Sequence, residues 1–498
     1  MAGAREMLVA IDVGTSGARA TALDLAGERQ LEVRRGYPTA SPRPGWAEQD
    51  PRLWRSAALS ALAGLVRELG SRGRVMAIGL TGQCPSVCLV DDRDRPLGPG
   101  LIYRDNRATR EAAAIRRRFG DAEIHARTGH LPAAFHVAPK LLWLKAHDRA
   151  TFGKARRALQ PRDLVALALT GEIATDGTHA AATLLYDIGR REWARDIQDA
   201  LGLPRELMPT LRPSAAVVGG LTASAARRVG LPVGLPVVLG GADSQACALG
   251  TGVVAAGPVS EMAGSSTCLN AAVRRPLTAL EVTHFPHVVP GPYTTETGIN
   301  TTGAAIAWVA DLLYAPRGRR AGATDYARLD REVAATPPGA DGVLALPILG
   351  DGERTDPDLR GAITGLSLRH DRATVARAVL EGVAFAIRDQ LGLLTGAGAR
   401  VSELRVSGGD TRLASWSRIK ADVLGIPIVT VPDDAAVTGV AMLAGLGAGI
   451  YRDVDDAIRR CVHLTSPIDP DPATRALYDE RFTAWRELAA ARVARRRA

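Results

Sequence analysis

The sequence predicts an α/β protein of two like halves, each a central sheet covered by helices, with a cleft between the halves. Two stretches far apart in the chain, starting near residues 8 and 259, each read strand, Gly/Ser/Thr turn, strand, although they share little residue identity. Strand patterns alternate with helical ones through both halves, which favours sheets covered by helices. The chain has 498 residues, 46% hydrophobic and 23% charged, so it can bury a large core and is neither disordered nor fibrous.

Leu8-Val9-Ala10-Ile11 is an apolar run of strand length, and it ends in the polar turn Asp12-Val13-Gly14-Thr15-Ser16-Gly17. Strands are expected next at residues 19–23 and, past the Ala26-Gly27 turn, at 31–33, which together make a meander. Residues 51–70 carry Leu53, Trp54, Ala57, Leu62 and Leu65 at helical spacing. Residues 75–80 form a buried strand, and so do Val237-Val238-Leu239, which run into Gly240-Gly241-Ala242-Asp243. The second half opens at 259–263, turns at Gly264-Ser265-Ser266-Thr267 and returns at 268–273. Helices are expected at 303–313 and 374–394, and a strand at 404–407 leads into Gly408-Gly409. A boundary near residue 250 separates a first domain, 1–250, from a second, 251–455. The tail, 456–498, ends in a helix with Leu477, Phe482, Trp485 and Leu488 near one face, expected to dock on the body and fray at its basic end.

The net charge is +9, yet all but Lys140, Lys145, Lys154 and Lys420 of the basic residues are arginine. That spread reflects an arginine-rich composition. With aromatics at 4% and no basic-aromatic interleaving, a nucleic-acid partner is not expected. Cys84, Cys88, Cys247, Cys268 and Cys461 are odd in number and scattered, as in a reducing cytosol. The first apolar run is too short for a signal peptide, and no stretch of about 20 apolar residues spans a membrane. A cytoplasmic protein without membrane contact is expected.

Asp12 ends a strand, where an aspartate can hold Mg²⁺ directly or through water. Gly14, Thr15 and Ser16 offer backbone N–H groups and hydroxyls to phosphate oxygens, and Arg19 can neutralise a transferring phosphoryl group. Gly264 and Ser265 repeat this turn. Either turn alone reads as an ordinary hairpin turn; two opening two similar halves favour a shared nucleotide. Asp243, at a Gly-Gly bend after a strand, suits either a helix N-cap or a base that accepts a substrate hydroxyl proton. Tyr103-Arg104-Asp105-Asn106-Arg107 gathers donors and acceptors that fit a polyhydroxylated ligand or a surface turn, and Gln83 can join them. Gly408-Gly409, with Gly439 in a small-residue run, would let adenine lie against the backbone. The nine histidines, His284-Phe285-Pro286-His287 included, read as ordinary loop residues.

Together these segments resemble the FGGY carbohydrate kinases, over roughly residues 7 to 450. The resemblance also rests on Pro44-Gly45-Trp46-Ala47-Glu48-Gln49-Asp50-Pro51, Leu169-Thr170-Gly171-Glu172, Pro232-Val233-Gly234-Leu235-Pro236-Val237-Val238 and Gly350-Asp351-Gly352-Glu353-Arg354-Thr355. It implies two ribonuclease H-like domains of the actin, hexokinase and Hsp70 type flanking an ATP/sugar cleft. The implied activity is ATP-dependent phosphorylation of a sugar hydroxyl, most like the xylulokinase branch. A ketopentose is the expected acceptor, with ribulose or a pentitol as alternatives, and ATP and Mg²⁺ are the expected cofactors. A non-enzymatic nucleotide switch of the actin or Hsp70 kind is a further alternative.

By position, the resemblance makes Asp243 the catalytic base and Asp12 the magnesium-associated aspartate. It assigns Gly14, Thr15, Ser16 and Arg19 to the first phosphate loop, and Gly264 and Ser265 to the second. Gly303, Gly408 and Gly409 would line the ATP site. Gln83, Cys84, Pro85, Tyr103, Asp105 and Arg107 would face the sugar. Gln83-Cys84-Pro85 stands where xylulokinases of the best-known type carry Gln-Met-His and glycerol kinases Gln-Arg-Glu. Tyr103 and Arg104 replace a usual tryptophan and asparagine, and Asp410 follows Gly409 where glycine or alanine is frequent. The resemblance leaves room for a homodimer.

Overall fold

The computed structural model describes residues 4–315, 324–350, 359–409, 413–432 and 434–497. Residues 351–355 of the Gly350-to-Thr355 motif and Asp410 lie outside the described residues. The chain divides into two compact units, one of Met1–Ala255, Ala272–Thr295 and Asp433–Val462, the other of Ala256–Ala271, Glu296–Pro432 and His463–Ala498. Residues 251–255, 272–295 and 433–455, expected in the second domain, thus pack with the first unit, as do residues 456–462 of the expected tail.

In the first unit, β1 (Arg5–Val13), β2 (Gly17–Asp24) and β3 (Arg29–Gly36) form the antiparallel meander. Helix α1 (Pro51–Leu69) starts on Asp50, whose side chain accepts from the Arg52 N–H, with proline at the first helical position. Strand β4 (Gly73–Gly82) returns parallel to β1. Helices α2 (Val137–His147), α3 (Pro161–Thr170) and the short α4 (Gly177–Ala181) lead to β5 (Val217–Gly220), β6 (Pro236–Val238) and α5 (Asp243–Gly250). The sheet order is β5-β6-β4-β1-β2-β3, with β6 parallel to β4.

Alternation along β1 sends Met7, Val9, Ile11 and Val13 into a core shared with Trp54, Leu62 and Leu65 of α1 and Leu164 and Val165 of α3. Leu8 and Ala10 join a second core, with Ala246 and Leu249 of α5 and Val437, Val440 and Leu443 of the helix Ala435–Gly447. Burying each such Val or Leu contributes about 1.5–3 kcal/mol. α5 and the Ala435–Gly447 helix cross at backbone distance. A Cβ on Gly250 would lie 1.8 Å from the Ala435 carbonyl oxygen, and one on Gly439 would lie 2.0 Å from that of Ala246. Gly439 therefore serves helix packing, and the expectation that adenine lies against it is corrected: the space is filled by α5.

The second unit repeats the opening. β7 (Gly257–Ala263) and β8 (Thr267–Val273) form a hairpin; past helices α6 (Gly303–Tyr314) and α7 (Arg372–Gly396), β9 (Val401–Gly408) lies parallel to β7. After α8 (Ala414–Leu424), β10 (Ile428–Val431) adds parallel to β9. Fully buried Lys420 of α8 pairs with Glu261 of β7 at 2.8 Å. The last helix, α9 (Arg475–Arg497), docks as expected. The Tyr478 hydroxyl accepts from Arg377 at 3.0 Å and donates to Glu381 at 2.9 Å, and the Trp485 indole donates to the Ala345 carbonyl at 3.1 Å.

Candidate active site

Parallel β1, β4 and β6 deliver three expected residues to one sheet edge: Asp12 near the end of β1, Gln83 just past β4, and Asp243 four residues beyond Leu239, which follows β6. Carboxyl ends of such strands are where open α/β sheets bind ligands. Asp12 sits opposite Arg19 across the hairpin and opposite Thr81 in β4. Arg19 donates to Asp12 at 2.9 Å and to Asp434, the N-cap of the Ala435–Gly447 helix, at 2.5 Å. Burial pulls the Arg19 pKa down, but Asp12 and Asp434 outweigh it, and the guanidinium stays charged.

The turn after β1 is tightly held. Gly14 donates to the Gly17 carbonyl at 3.0 Å, while the Gly14 carbonyl accepts from the Tyr37 hydroxyl at 2.5 Å and from the Gln83 amide at 3.3 Å. The Thr15 carbonyl accepts from Gln49 at 2.7 Å, and the Gln49 amide oxygen accepts from the Trp54 indole and from Gln83. The Gln83 amide oxygen is buried and has no partner among the described residues. The Thr15 hydroxyl reaches Tyr103 at 3.4 Å, which brings the first loop and the Tyr103 segment together.

Asp105 and Arg107 have another immediate task. Asp105 is wholly buried; its carboxylate accepts from the Ala47 N–H at 2.7 Å and from Arg107 through both oxygens. Arg107 also donates to Glu48 at 2.7 Å and lies 3.6 Å over the Trp46 ring. The pair holds the Trp46-Ala47-Glu48 segment against residues 103–107, with both charges turned into the protein. Buried Lys140 of α2 adds a clamp, donating to the Pro85 carbonyl at 3.1 Å and the Ile102 carbonyl at 2.8 Å. Cys84 and Pro85 are joined by a cis peptide bond.

The Gly240-Gly241-Ala242 bend presents Asp243. Gly240 has φ +71°, and a Cβ there would lie 1.7 Å from the Leu80 carbonyl oxygen, so only glycine fits. Ala242 is the N-cap without a side-chain cap, and Asp243 is the first helical residue; its Oδ1 accepts from the Ser244 N–H at 2.8 Å. Burial, then the charges of Asp243 and Asp176, push the Cys84 thiol well above its ordinary range. Cys84 thus lies within the field of Asp243 and stays a thiol.

Sequence reasoning missed the group beneath this bend. Arg162 of α3 donates to the Leu239 carbonyl at 2.6 Å and to Asp176 at 3.0 Å. Asp176, the N-cap of α4, also accepts from the Thr178 hydroxyl at 2.6 Å and the Ser214 hydroxyl at 2.9 Å. Its Oδ1 lies 2.8 Å from Nδ1 of His179. Burial pushes the Asp176 pKa up, but His179 and Arg162 overcome it and hold the carboxyl below its usual range. The available signal was Asp176-Gly177-Thr178, a capping pattern. Nothing in the pattern shows what the cap's second oxygen meets.

In the second unit the expected nucleotide residues also converge. Gly303 and Ala304, opening α6, donate to the Gly264 and Ser265 carbonyls at 3.2 and 3.1 Å. A Cβ on Gly303 would lie 2.2 Å from the Gly264 oxygen. Gly408 has φ +136°, and a Cβ there would lie 1.9 Å from the Ala263 carbonyl oxygen; Gly409 follows, exposed. Gly264, Ser265, Gly303 and Gly408 therefore share the end of β7. Among the described residues, no group of three or more His, Cys, Asp or Glu is arranged to hold a metal ion, and no helix is long and apolar enough to cross a membrane.

Two α/β units, each opening with a hairpin and a parallel partner strand and each carrying a Gly/Ser loop at its strand ends, define a ribonuclease H-like architecture. Family models of the FGGY carbohydrate kinases match the N-terminal domain over residues 7–250 and the C-terminal domain over 260–448, and the chain belongs to this family. It is a carbohydrate kinase. It is 30% identical to the xylulose kinase of Escherichia coli K12, over 97% of this chain and 98% of that protein. It is 29% identical to the autoinducer-2 kinase of Klebsiella pneumoniae, over 97% and 93%. The crystal structure of xylulose kinase from Rhodospirillum rubrum superposes with a TM-score of 0.88 at 33% identity, covering 97% of this chain and 98% of that one.

Proposed function

We propose that the protein phosphorylates a hydroxyl of a ketopentose resembling xylulose, using ATP and releasing the sugar phosphate and ADP. The observation that carries this reading is the Gln83 amide and the Asp243 carboxylate beyond the ends of neighbouring parallel strands, with Cys84 in the field of Asp243. A buried amide oxygen without a partner calls for a donor, and a sugar hydroxyl supplies one. Asp243 accepts the proton of the attacking hydroxyl as its oxygen bonds to the γ-phosphorus and the bond to the β–γ bridging oxygen breaks. Arg19 and the Gly14-Thr15-Ser16 turn hold phosphate oxygens in the first unit; Gly264, Ser265, Gly303, Gly408 and Gly409 bind the nucleotide in the second.

Asp12 is a single carboxylate with one oxygen on Arg19, which suits Mg²⁺, an ion that keeps several waters and leans on substrate phosphates. Bound with the nucleotide, Mg²⁺ would neutralise charge on the β- and γ-phosphate oxygens. The identity to two xylulose kinases supports the acceptor class. A coupled ADP assay over ketopentoses, pentitols, ketohexoses and glycerol tests it, with D-xylulose expected among the best acceptors. A best acceptor outside the ketopentoses would overturn that choice. Asp243→Asn is expected to lower kcat by about 10²–10⁴-fold while ATP still binds; near-normal turnover would remove Asp243 as the base.

A further inference from the structure

Arg162, Asp176, Thr178 and His179 have no solvent exposure, and none of them touches substrate or nucleotide in the proposed reaction. Their hydrogen bonds nevertheless end on the few residues that precede Asp243. The Thr178 hydroxyl donates to Asp176 and accepts from the Ala242 N–H at 2.8 Å, one residue before Asp243. The Arg162 guanidinium grips the other side of the bend through the Leu239 and Gly240 carbonyls, at 2.6 and 3.2 Å. Ser214 closes the ring: its hydroxyl donates to Asp176, and its carbonyl accepts from the Gly240 N–H at 2.8 Å. Thr81 of β4 donates to the Gly241 carbonyl at 2.7 Å. From Leu239 to Ala242 the bend is thus pinned by buried groups, and three of them, Arg162, Thr178 and Ser214, meet at the Asp176 carboxylate. Two glycines in a row would otherwise leave it pliable.

We propose that Asp176 and Thr178 are positioning residues for the phosphoryl transfer, fixing the Gly240-to-Ala242 bend so that the Asp243 carboxylate meets the reacting hydroxyl. The proposal rests on Asp243 being the base. Asp176 serves as the hub, because an ionised carboxylate can accept from Arg162, Thr178, His179 and Ser214 together. Thr178 is the link, because its one hydroxyl relays the hub to the backbone beside the base. Misplacing a reacting group by about 1 Å can cost on the order of 10²-fold in rate, without loss of the groups that bind substrate.

The test compares Thr178→Val, which keeps shape and removes the hydroxyl, with Thr178→Ser, which restores it, in the full chain, with thermal unfolding as the check on folding. Thr178→Val is expected to lower kcat about 10–100-fold with both KM values within about twofold, and Thr178→Ser to recover most of kcat. Thr178→Val turnover within about twofold of wild type overturns the proposal. So does a parallel loss in KM that serine does not rescue, which would mark general distortion. Should Thr178→Val fail to fold, Ser214→Ala decides: a folded variant with lowered kcat and unchanged KM supports the brace, and unchanged kcat overturns it. Asp243→Asn run alongside separates the two readings. An inactive Asp243→Asn beside a normal Thr178→Val sinks only the brace, whereas an active Asp243→Asn removes the base and the brace with it.

Discussion

At the scale of single residues, Lys140 titrates where most lysines do not. Burial lowers its pKa from 10.5 to about 7, against the opposing pull of Asp105. In the unfolded chain it keeps its proton up to about 10.5, so between about pH 7 and 10.5 the unfolded state holds more protons than the folded one. Lys140 therefore makes stability rise with pH across that window, by roughly 1.4 kcal/mol per unit of displacement at most. Lys140→Met should flatten the rise, measured as the difference in urea midpoints between pH 7 and 9.5; identical slopes would show that the lysine is solvated. Arg107→Met leaves Asp105 buried without its counter-charge and should lower stability by about 3–5 kcal/mol in denaturant unfolding. The placement of Asp12, Gln83 and Asp243 at strand ends was legible because each lies at or beyond the end of a recognisable apolar strand. The inward use of Asp105 and Arg107 was not, because five polar residues in a row look alike whether they face solvent or Trp46.

At the scale of elements, the strands and long helices were legible from periodicity, and their close approaches were not. The glycine of Ala435-Ala436-Val437-Thr438-Gly439 reads equally well as a ligand contact or a helix crossing, and only the neighbour, Ala246, decides. Gly439→Ala is expected to cost about 1–3 kcal/mol or more through overpacking, seen as a lower Tm, with KM for ATP unchanged in the remaining folded enzyme. The strand Thr283–Pro286 gives a second case. His284 is buried beside His125, their rings 5.5 Å apart, and burial followed by His125 lowers its pKa to about 4; burial lowers that of His287 likewise. The unfolded chain protonates both near pH 6.5, so stability should fall as pH drops from about 6.5 toward 4. His284→Gln should reduce that slope in thermal unfolding at pH 4.5 against pH 7. His284 read as a loop residue because a strand of four residues leaves almost no periodic trace, whereas His287 lies just past that strand, outside regular structure, as read.

At the scale of the whole molecule, sequence order and spatial grouping part company. The duplicated architecture was legible from two openings of the same kind, since each must build its own sheet. That the first unit recruits chain from beyond residue 432 was not, because an apolar helix does not announce which sheet it covers. A fragment of residues 1–255 leaves bare the core of Leu8, Ala10 and Ala77 that the Ala435–Gly447 helix covers. It should behave as a partly folded, dye-binding species in circular dichroism and ANS fluorescence, and a cooperative transition in that fragment would contradict this.

The late helix has a consequence for how the protein is made. Domains tend to fold as they leave the ribosome, at about 5–20 residues per second. Here the opening sheet cannot be finished on that schedule, because its lid is encoded about 180 residues downstream of Ala255. For roughly ten to forty seconds of translation, one apolar face of the nascent sheet waits uncovered. Such a chain should depend on holdase chaperones more than its final stability suggests, and slowing translation should lower its soluble yield instead of raising it.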